Sequence, residues 1–217
     1  MARTWRLPGV YAPQADSFLL AEVMRKEAIG AGMDVLDVCT GGGVLALCAA
    51  QLGARVSAVD VSRRAVLSTR LNAALAGLAV TARRSDLLTD IADNSFDVVV
   101  SNPPYVPTPC ARAPRRGART AWDAGYDGRL LLDRICARAP AVLRPGGLLL
   151  LVHSAVSDVE STVRQLTEAG LRASVRERAT IPFGPVMTGR LSWLRKRGLL
   201  SEQDTAEELV VVRATKE

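Results

Sequence analysis

Val35-Leu36-Asp37-Val38-Cys39-Thr40-Gly41-Gly42-Gly43 is a short apolar run, interrupted by one acid and closed by three glycines, and an apolar helical pattern from Val44 to Leu52 follows directly. Glycines after a strand let the backbone approach a ligand with no Cβ in the way. The helix start beyond them offers free N–H groups. The unit repeats in kind along the chain. Strands are expected at Val35–Val38, Arg55–Val59, Val80–Arg84, Phe96–Val100, Leu148–Val152, Leu171–Ile181 and Glu208–Arg213. Helices are expected at Pro13–Ile29, Val44–Leu52, Arg63–Leu75, Leu130–Leu143 and Val156–Ala169. Strand and helix in alternation mean parallel strands joined by right-handed crossovers, hence an α/β, doubly wound, Rossmann-like sheet with helices on both faces.

The chain has 217 residues, which suits one α/β domain. Apolar residues make up 48% and aromatics only 4%, so the core is built from Leu, Val and Ala. The expected organisation is a single domain over 1–217, with an N-terminal helical cap at 1–30 and loop insertions at 107–121 and 183–204. The net charge of +6 favours acidic partners. Cys39, Cys48, Cys110 and Cys136 have no C-x-x-C spacing and a single histidine, His153, to join them, so no metal site is expected and a reduced, cytoplasmic protein is. The longest apolar run, Leu148–Val152, is far too short for a bilayer, and no signal peptide is visible.

In an open α/β sheet ligands bind beyond the carboxyl ends of the strands, where strand order reverses. Asp37, Asp60, Asp86 and Asn102 fall at or just past four successive strand ends. Asp60, with Val61 after it, suits the two hydroxyls of a ribose; its alternative is a helix cap, which Ser62 could supply equally well. Asp86, beside the backbone N–H of Leu87, suits an adenine edge. Asp37 can attract a cationic amino group, and Thr40, Gly41 and Gly43 form the turn around it. The run Gly41-x-Gly43-x-x-Ala46 also fits a dinucleotide fingerprint, so NAD is weighed beside S-adenosylmethionine.

Asn102-Pro103-Pro104-Tyr105 separates the two. The prolines remove two N–H donors and stiffen the turn, leaving carbonyls free beside the Asn102 side-chain oxygen. Two fixed acceptors orient a planar –NH₂ group, whose delocalised lone pair is a weak nucleophile, against an electrophilic methyl. Tyr105 can stack on that plane. A nicotinamide dehydrogenase leaves this motif unexplained. A degenerate cofactor-binding scaffold is disfavoured because all four polar strand-end residues are intact.

Together these residues resemble a class I S-adenosylmethionine-dependent methyltransferase of the Asn-Pro-Pro-Tyr (NPPY) type. Val10-Tyr11-Ala12-Pro13-Gln14-Ala15-Asp16-Ser17-Phe18-Leu19-Leu20 resembles the opening of the short, single-domain HemK-type release-factor glutamine methyltransferases. Ala121-Trp122-Asp123-Ala124-Gly125-Tyr126-Asp127-Gly128-Arg129, with Asp133, resembles their segment after the motif. The resemblance implies a seven-stranded, mostly parallel sheet with one antiparallel strand near the C-terminus. It implies S-adenosylmethionine as cofactor, with S-adenosylhomocysteine as product, and no separate N-terminal helical domain. It implies that Tyr11, Asp16 and Ser17 close over the cofactor and that Asn102, Pro103 and Tyr105 grip the acceptor. The substrate it implies is the glutamine of a Gly-Gly-Gln loop in a translation termination factor, and short members also work with a small activating partner. A nucleic-acid methyltransferase acting on an exocyclic base nitrogen is the alternative, since a base presents the same planar –NH₂. The chain departs from the family at Ala15, where an acid is usual, at Cys39-Thr40 before the glycines, and in the 183–204 stretch.

Other residues read as structural. His153 is expected to be a satisfied strand-end histidine and Cys39 an unreactive packing residue. Trp122 and Arg129 either shape the site or anchor a loop. Trp193 belongs to a packed insertion. The arginines from Arg112 to Arg119, including Arg115 and Arg116, form either a substrate-facing patch or a solvated loop.

Overall fold

A computed structural model describes residues 5–112 and 117–217. The elements in chain order are α1 (Ala15–Lys26), β1 (Asp34–Val38), α2 (Val44–Gln51), β2 (Arg55–Asp60), α3 (Arg63–Leu75), β3 (Val80–Arg84) and β4 (Phe96–Ser101), then α4 (Leu132–Val142), β5 (Leu143–Ser154), α5 (Val159–Glu168), β6 (Leu171–Pro182), α6 (Pro185–Thr188), α7 (Leu191–Lys196) and β7 (Ala206–Lys216). The seven strands form one sheet in the order β3-β2-β1-β4-β5-β7-β6. Strands β1 to β5 pair in parallel, and β7 runs antiparallel to both β5 and β6. The expected sheet, with its single antiparallel strand, is therefore present.

Alternate strand residues face opposite sides, and the core divides accordingly. Leu36, Val38, Val99, Leu149 and Leu151 pack with α4 and α5 residues such as Ile135 and Leu166. Val35, Val98, Val100, Leu148, Leu150 and Val152 pack with α1 and α2 residues such as Leu20, Met24 and Ala46. Burial on both faces explains why the central strands read as continuous apolar runs.

Strand order reverses between β1 and β4, whose ends are tied by a hydrogen bond from the Ser101 hydroxyl to the Val38 carbonyl (2.8 Å). This is the crevice where a doubly wound sheet takes its ligand.

Three stretches differ from expectation. Strand β5 begins at Leu143, not Leu148, because Leu143 pairs with Phe96 and a bulge then absorbs Pro145-Gly146-Gly147 before Leu148 pairs with Val98. The 183–204 stretch, expected as a loop, folds into α6 and α7. Pro185 starts α6, and Met187 and Leu194 give the insertion its own buried anchors in the core. Glycines and a proline conceal both short helices in the sequence. The helix expected to start at Pro13 starts at Ala15, so Tyr11 to Gln14 precede it as extended chain along the site.

Candidate active site

A cavity of about 750 Å³ opens over the β1 and β4 ends, a volume that suits a nucleoside-sized ligand with part of a second one. Gly41, Asp60, Val61, Asp86 and Leu87 line one end. Asp16, Asn102, Pro103, Pro104, Tyr105 and Trp122 line the other, and Tyr11 lies beside Gly41, its Cβ 3.9 Å from where a Cβ on that glycine would sit. The four polar strand-end residues do converge on this crevice, but not all face it.

Asp60 lines the cavity at the tip of β2. One carboxylate oxygen accepts from Gly41 N–H (3.0 Å) and the other from Ser62 N–H (2.8 Å). Burial pushes this carboxyl upward, opposed by those two N–H groups. It thus fixes the glycine turn while each oxygen keeps room to accept again. The capping role falls to Ser62, whose hydroxyl accepts from Ala65 N–H. Asp86 lines the cavity and pairs with Arg134 through Oδ2 (2.8 Å), and Leu87 follows it at a left-handed φ of 53°. Such a conformation costs a branched residue of order 1 kcal/mol and concentrates at ligand sites.

Asp37, Thr40, Gly43 and Ser17 sit behind the cavity wall. Asp37 Oδ2 accepts from the Thr40 hydroxyl (2.6 Å) and Ala46 N–H (3.0 Å), while Oδ1 has no partner among the described residues. Burial raises its pKa to about 7. A buried carboxyl with one open oxygen suits a cationic ligand group. Gly43, at φ 86°, is required by packing: a Cβ there would lie 2.8 Å from Thr69 Cγ2. Cys39 lines the cavity at φ 62°, and burial together with Asp60 and Asp37 holds its thiol well above its ordinary value, so it stays a thiol.

At the other end, Asp16 organises the acceptor residues. Its side chain is 4% exposed. Oδ2 accepts from the hydroxyls of Tyr11 (2.7 Å) and Tyr105 (3.0 Å), and Oδ1 from Ser17 N–H (2.6 Å) and the Ser17 hydroxyl (3.2 Å). Ser17 Oγ in turn accepts from Asn102 Nδ2 (3.1 Å). That bond turns the Asn102 amide so that Oδ1 remains free. Burial, reinforced by Asp16, raises both tyrosines, so both remain protonated donors.

The backbone of the Asn-Pro-Pro-Tyr turn is held from behind. The Ser157 hydroxyl donates to the Tyr105 carbonyl (2.7 Å), and Val106 pairs with Trp122 and Ala124 through N–H···O bonds of 2.8 and 3.1 Å. Gly128, at φ 77°, passes so close that a Cβ would lie 2.2 Å from the Tyr105 oxygen. Arg129 donates to the carbonyls of Ser157 and Asp158 and to Thr162, which makes it a loop anchor and not a cavity residue. His153, expected to be satisfied, is only half so: Nδ1 bonds to the Ser154 carbonyl (2.9 Å), Nε2 has no partner among the described residues, and burial lowers its pKa to about 4. It is neutral and outside the cavity. Arg112 is exposed and Arg119 pairs with buried Asp123 (2.9 Å); Arg115 and Arg116 lie outside the described residues. Trp193 is partly buried against the core, as expected of a packed insertion.

Sequence reasoning did not find the wall contributed by Ile181, Pro182, Gly184 to Met187, and Glu207. Arg190 fastens that wall, donating to the Pro107 carbonyl (2.8 Å) and pairing with Asp123. Arg197 lies over the Tyr126 ring at 5.6 Å. The one available signal was period two in β7, which turns Glu207 and Leu209 inward and Glu208 outward to Arg178.

Sheet order, cavity position and the motif turn define a class I methyltransferase. The methyltransferase small-domain family matches residues 2–112, and the chain belongs to it. It is an S-adenosylmethionine-dependent methyltransferase. A protein from Methanocaldococcus jannaschii described as a protein N5-glutamine methyltransferase is 31% identical over 181 residues, covering 83% of this chain and 90% of the relative. Methyltransferase HEMK2 of Mus musculus is 32% identical over 173 residues, covering 76% and 81%. The release factor glutamine methyltransferase of Mycobacterium tuberculosis is 30% identical over 199 residues, covering 86% of this chain but 64% of that longer relative. The solved Encephalitozoon cuniculi Mtq2-Trm112 complex, described by its reporters as responsible for methylating the eRF1 termination factor, superposes with a TM-score of 0.69 at 24% identity and covers 96% of this chain. That likeness bears on the fold.

Proposed function

We propose that this chain methylates the side-chain amide nitrogen of a protein glutamine, with the Gly-Gly-Gln loop of a translation termination factor as the substrate. The observation that carries the reading is the Asn102 amide: Ser17 holds its nitrogen, so its oxygen is free to accept from a planar –NH₂ at the mouth of the stiff Pro103-Pro104 turn. When bound, S-adenosylmethionine supplies an electrophilic methyl group. Asp60 would take its ribose, Asp86 and Leu87 its adenine, and Gly41 and Val61 would line its path. The open oxygen of Asp37 would face its ammonium from behind Cys39, and Thr40, Gly43, Tyr11, Asp16 and Ser17 would hold that frame.

The protein's own residues orient the acceptor, exclude water with Trp122 and the 184–187 wall during transfer, and stabilise the positive charge that develops on the nitrogen as it takes the methyl; that nitrogen then releases its proton to solvent. No strong base is needed, because the methylated nitrogen is acidic. A short glycine-rich loop can enter this cavity, whereas a duplex base must first leave its stack at a cost of a few kcal/mol.

A small activating partner fits the same reading. Leu67, Leu71 and Leu75 form an exposed row, one turn apart, on α3 beside the free edge of β3. Among the described residues no helix is long and apolar enough to cross a membrane.

The test is mass spectrometry of a Gly-Gly-Gln loop peptide and an intact termination factor after incubation with the protein and S-adenosylmethionine. One added methyl on the glutamine is expected. Label confined to nucleic acid would replace this reading with the base-methylating one.

A further inference from the structure

Two carboxyls line the acceptor end of the cavity, and they differ in what they have left to offer. Asp16 is saturated, with two tyrosine hydroxyls on one oxygen and the Ser17 N–H and hydroxyl on the other. Glu207 is not. It is 5% exposed, lines the cavity near the start of β7 opposite Ile181 in the β6–β7 register, and its Oε1 has no hydrogen-bond partner among the described residues. Its neighbours in that wall are Ile181, Pro182, Pro185, Val186 and Met187, none of which carries a side-chain donor. Burial, opposed by the Ser154 hydroxyl, raises its carboxyl above the ordinary range.

A buried carboxyl oxygen without a donor is costly. Buried acceptors in folded proteins almost always have partners. A cost of that kind, placed at a ligand cavity, is removed when the ligand brings the missing donor. Asn102 Oδ1 is already committed, on the reading above, to the target –NH₂. The remaining donors of a glycine-rich loop are its peptide N–H groups, which no side chain shields at glycine.

Resting on the proposed glutamine substrate, we propose that Glu207 is a substrate-recognition residue whose Oε1 accepts a hydrogen bond from a backbone N–H of the loop that carries the methylated glutamine. The target amide is then held at one point and its backbone at a second. Two points fix the side chain's reach as well as its plane.

The test uses the full chain, a Gly-Gly-Gln loop peptide, and two peptides in which the N–H of the first or of the second glycine is replaced by an ester oxygen. Glu207→Ala is expected to raise the peptide KM about tenfold with kcat changed much less, and Glu207→Gln, which keeps an oxygen acceptor, to fall between. Affinity for S-adenosylhomocysteine should match wild type, and Tm should not fall, because the unpartnered buried oxygen is costly to the free protein. One ester peptide should lose as much with wild type as the Ala variant loses with the normal peptide, and the variant should show no further loss with that ester, as a double-mutant cycle requires for a shared contact. An unchanged KM in both variants, or additive losses with both esters, overturns the role of Glu207 while leaving glutamine methylation intact. A parallel loss of cofactor affinity shows a merely structural residue and overturns it too. Failure of wild type to methylate the peptide and the intact termination factor overturns both proposals together.

Discussion

The Tyr105 hydroxyl donates to Asp16 across 89 positions of sequence, joining the motif turn to the first turn of α1. Because Asp16 also receives Tyr11 and, through Ser17, steadies Asn102, one carboxylate sets the geometry of the acceptor end. Asp16→Asn keeps the volume but replaces one oxygen acceptor with an –NH₂ donor, so either the tyrosine pair or the Ser17 N–H and hydroxyl lose their acceptor. We expect kcat/KM to fall about 100-fold, equivalent to about 2.7 kcal/mol of transition-state stabilisation. Cofactor affinity, measured by calorimetry with S-adenosylhomocysteine, should fall as well, because Asp16 also belongs to the proposed cofactor frame, but by less than kcat/KM.

Asn102 and Asp60 sit at opposite ends of the cavity, and their losses should separate. Asn102→Ala is expected to lower kcat by about 10² to 10³, the scale of a lost positioning contact in an acyl or amide site, with S-adenosylhomocysteine affinity near normal. Asp60→Ala should weaken that affinity by about 2–3 kcal/mol, because charge-assisted acceptors are lost and the Gly41 and Ser62 N–H groups are released. Near-normal turnover in Asn102→Ala would remove the amide grip from the mechanism.

Gly128 does not line the cavity, yet a Cβ there would enter the Tyr105 carbonyl and lie 2.5 Å from Ser157 Oγ. Gly128→Ala should therefore cost about 1–3 kcal/mol in stability through overpacking and left-handed strain. It should also displace the motif turn. Thermal unfolding and kcat/KM, measured together, should show activity falling further than the lower Tm explains.

Asp37 makes stability of the cofactor-free protein depend on pH. Its folded pKa, about 7, exceeds its ordinary value of 3.8, so the folded state holds the proton more tightly and the benefit is lost as pH rises through 7. Between pH 6 and 8 this amounts to about 1 kcal/mol. His153 acts oppositely: with a folded pKa of about 4 against 6.5, it withdraws stability as pH falls through 6.5. Asp37→Asn removes only the first effect. Subtracting the Tm of that variant from wild type at pH 6, 7 and 8 should give a difference that declines with pH. A flat difference would mean that Asp37 is ionised throughout.

The sheet and the crevice at its strand ends were legible in sequence. Asp60 and Asn102 stand at the ends of apolar strands and Asp37 inside one, so the strand that buries the run also delivers the polar residue; Asp86 follows the charged edge strand Val80–Arg84 and was placed only by the alternation of strand and helix. The acceptor end was less so. The sequence suggested Asp16 only by resemblance, because its contacts to Tyr105 and Asn102 arise from packing α1 across the strand ends. Glu207 was hidden by an equally acidic neighbour, Glu208, and only the pleat of β7 separates the inward from the outward residue. Pro185 and the glycines at 184, 189 and 198 read as loop punctuation, although Leu194 and Met187 bury enough apolar surface to hold two short helices.

The Arg190 clasp has a wider consequence. The residues that line the crevice over the β1 to β4 ends come from the first half of the chain, while the far wall comes from residues 181–207 and is latched to Pro107 and Asp123 by that single guanidinium. The far wall is thus encoded in a stretch separable from the one that carries Asp60, Asp86 and the Asn102-to-Tyr105 turn. A lineage could redraw the wall and carry the same methyl-donating half to a new acceptor, provided the new wall brought its own latch.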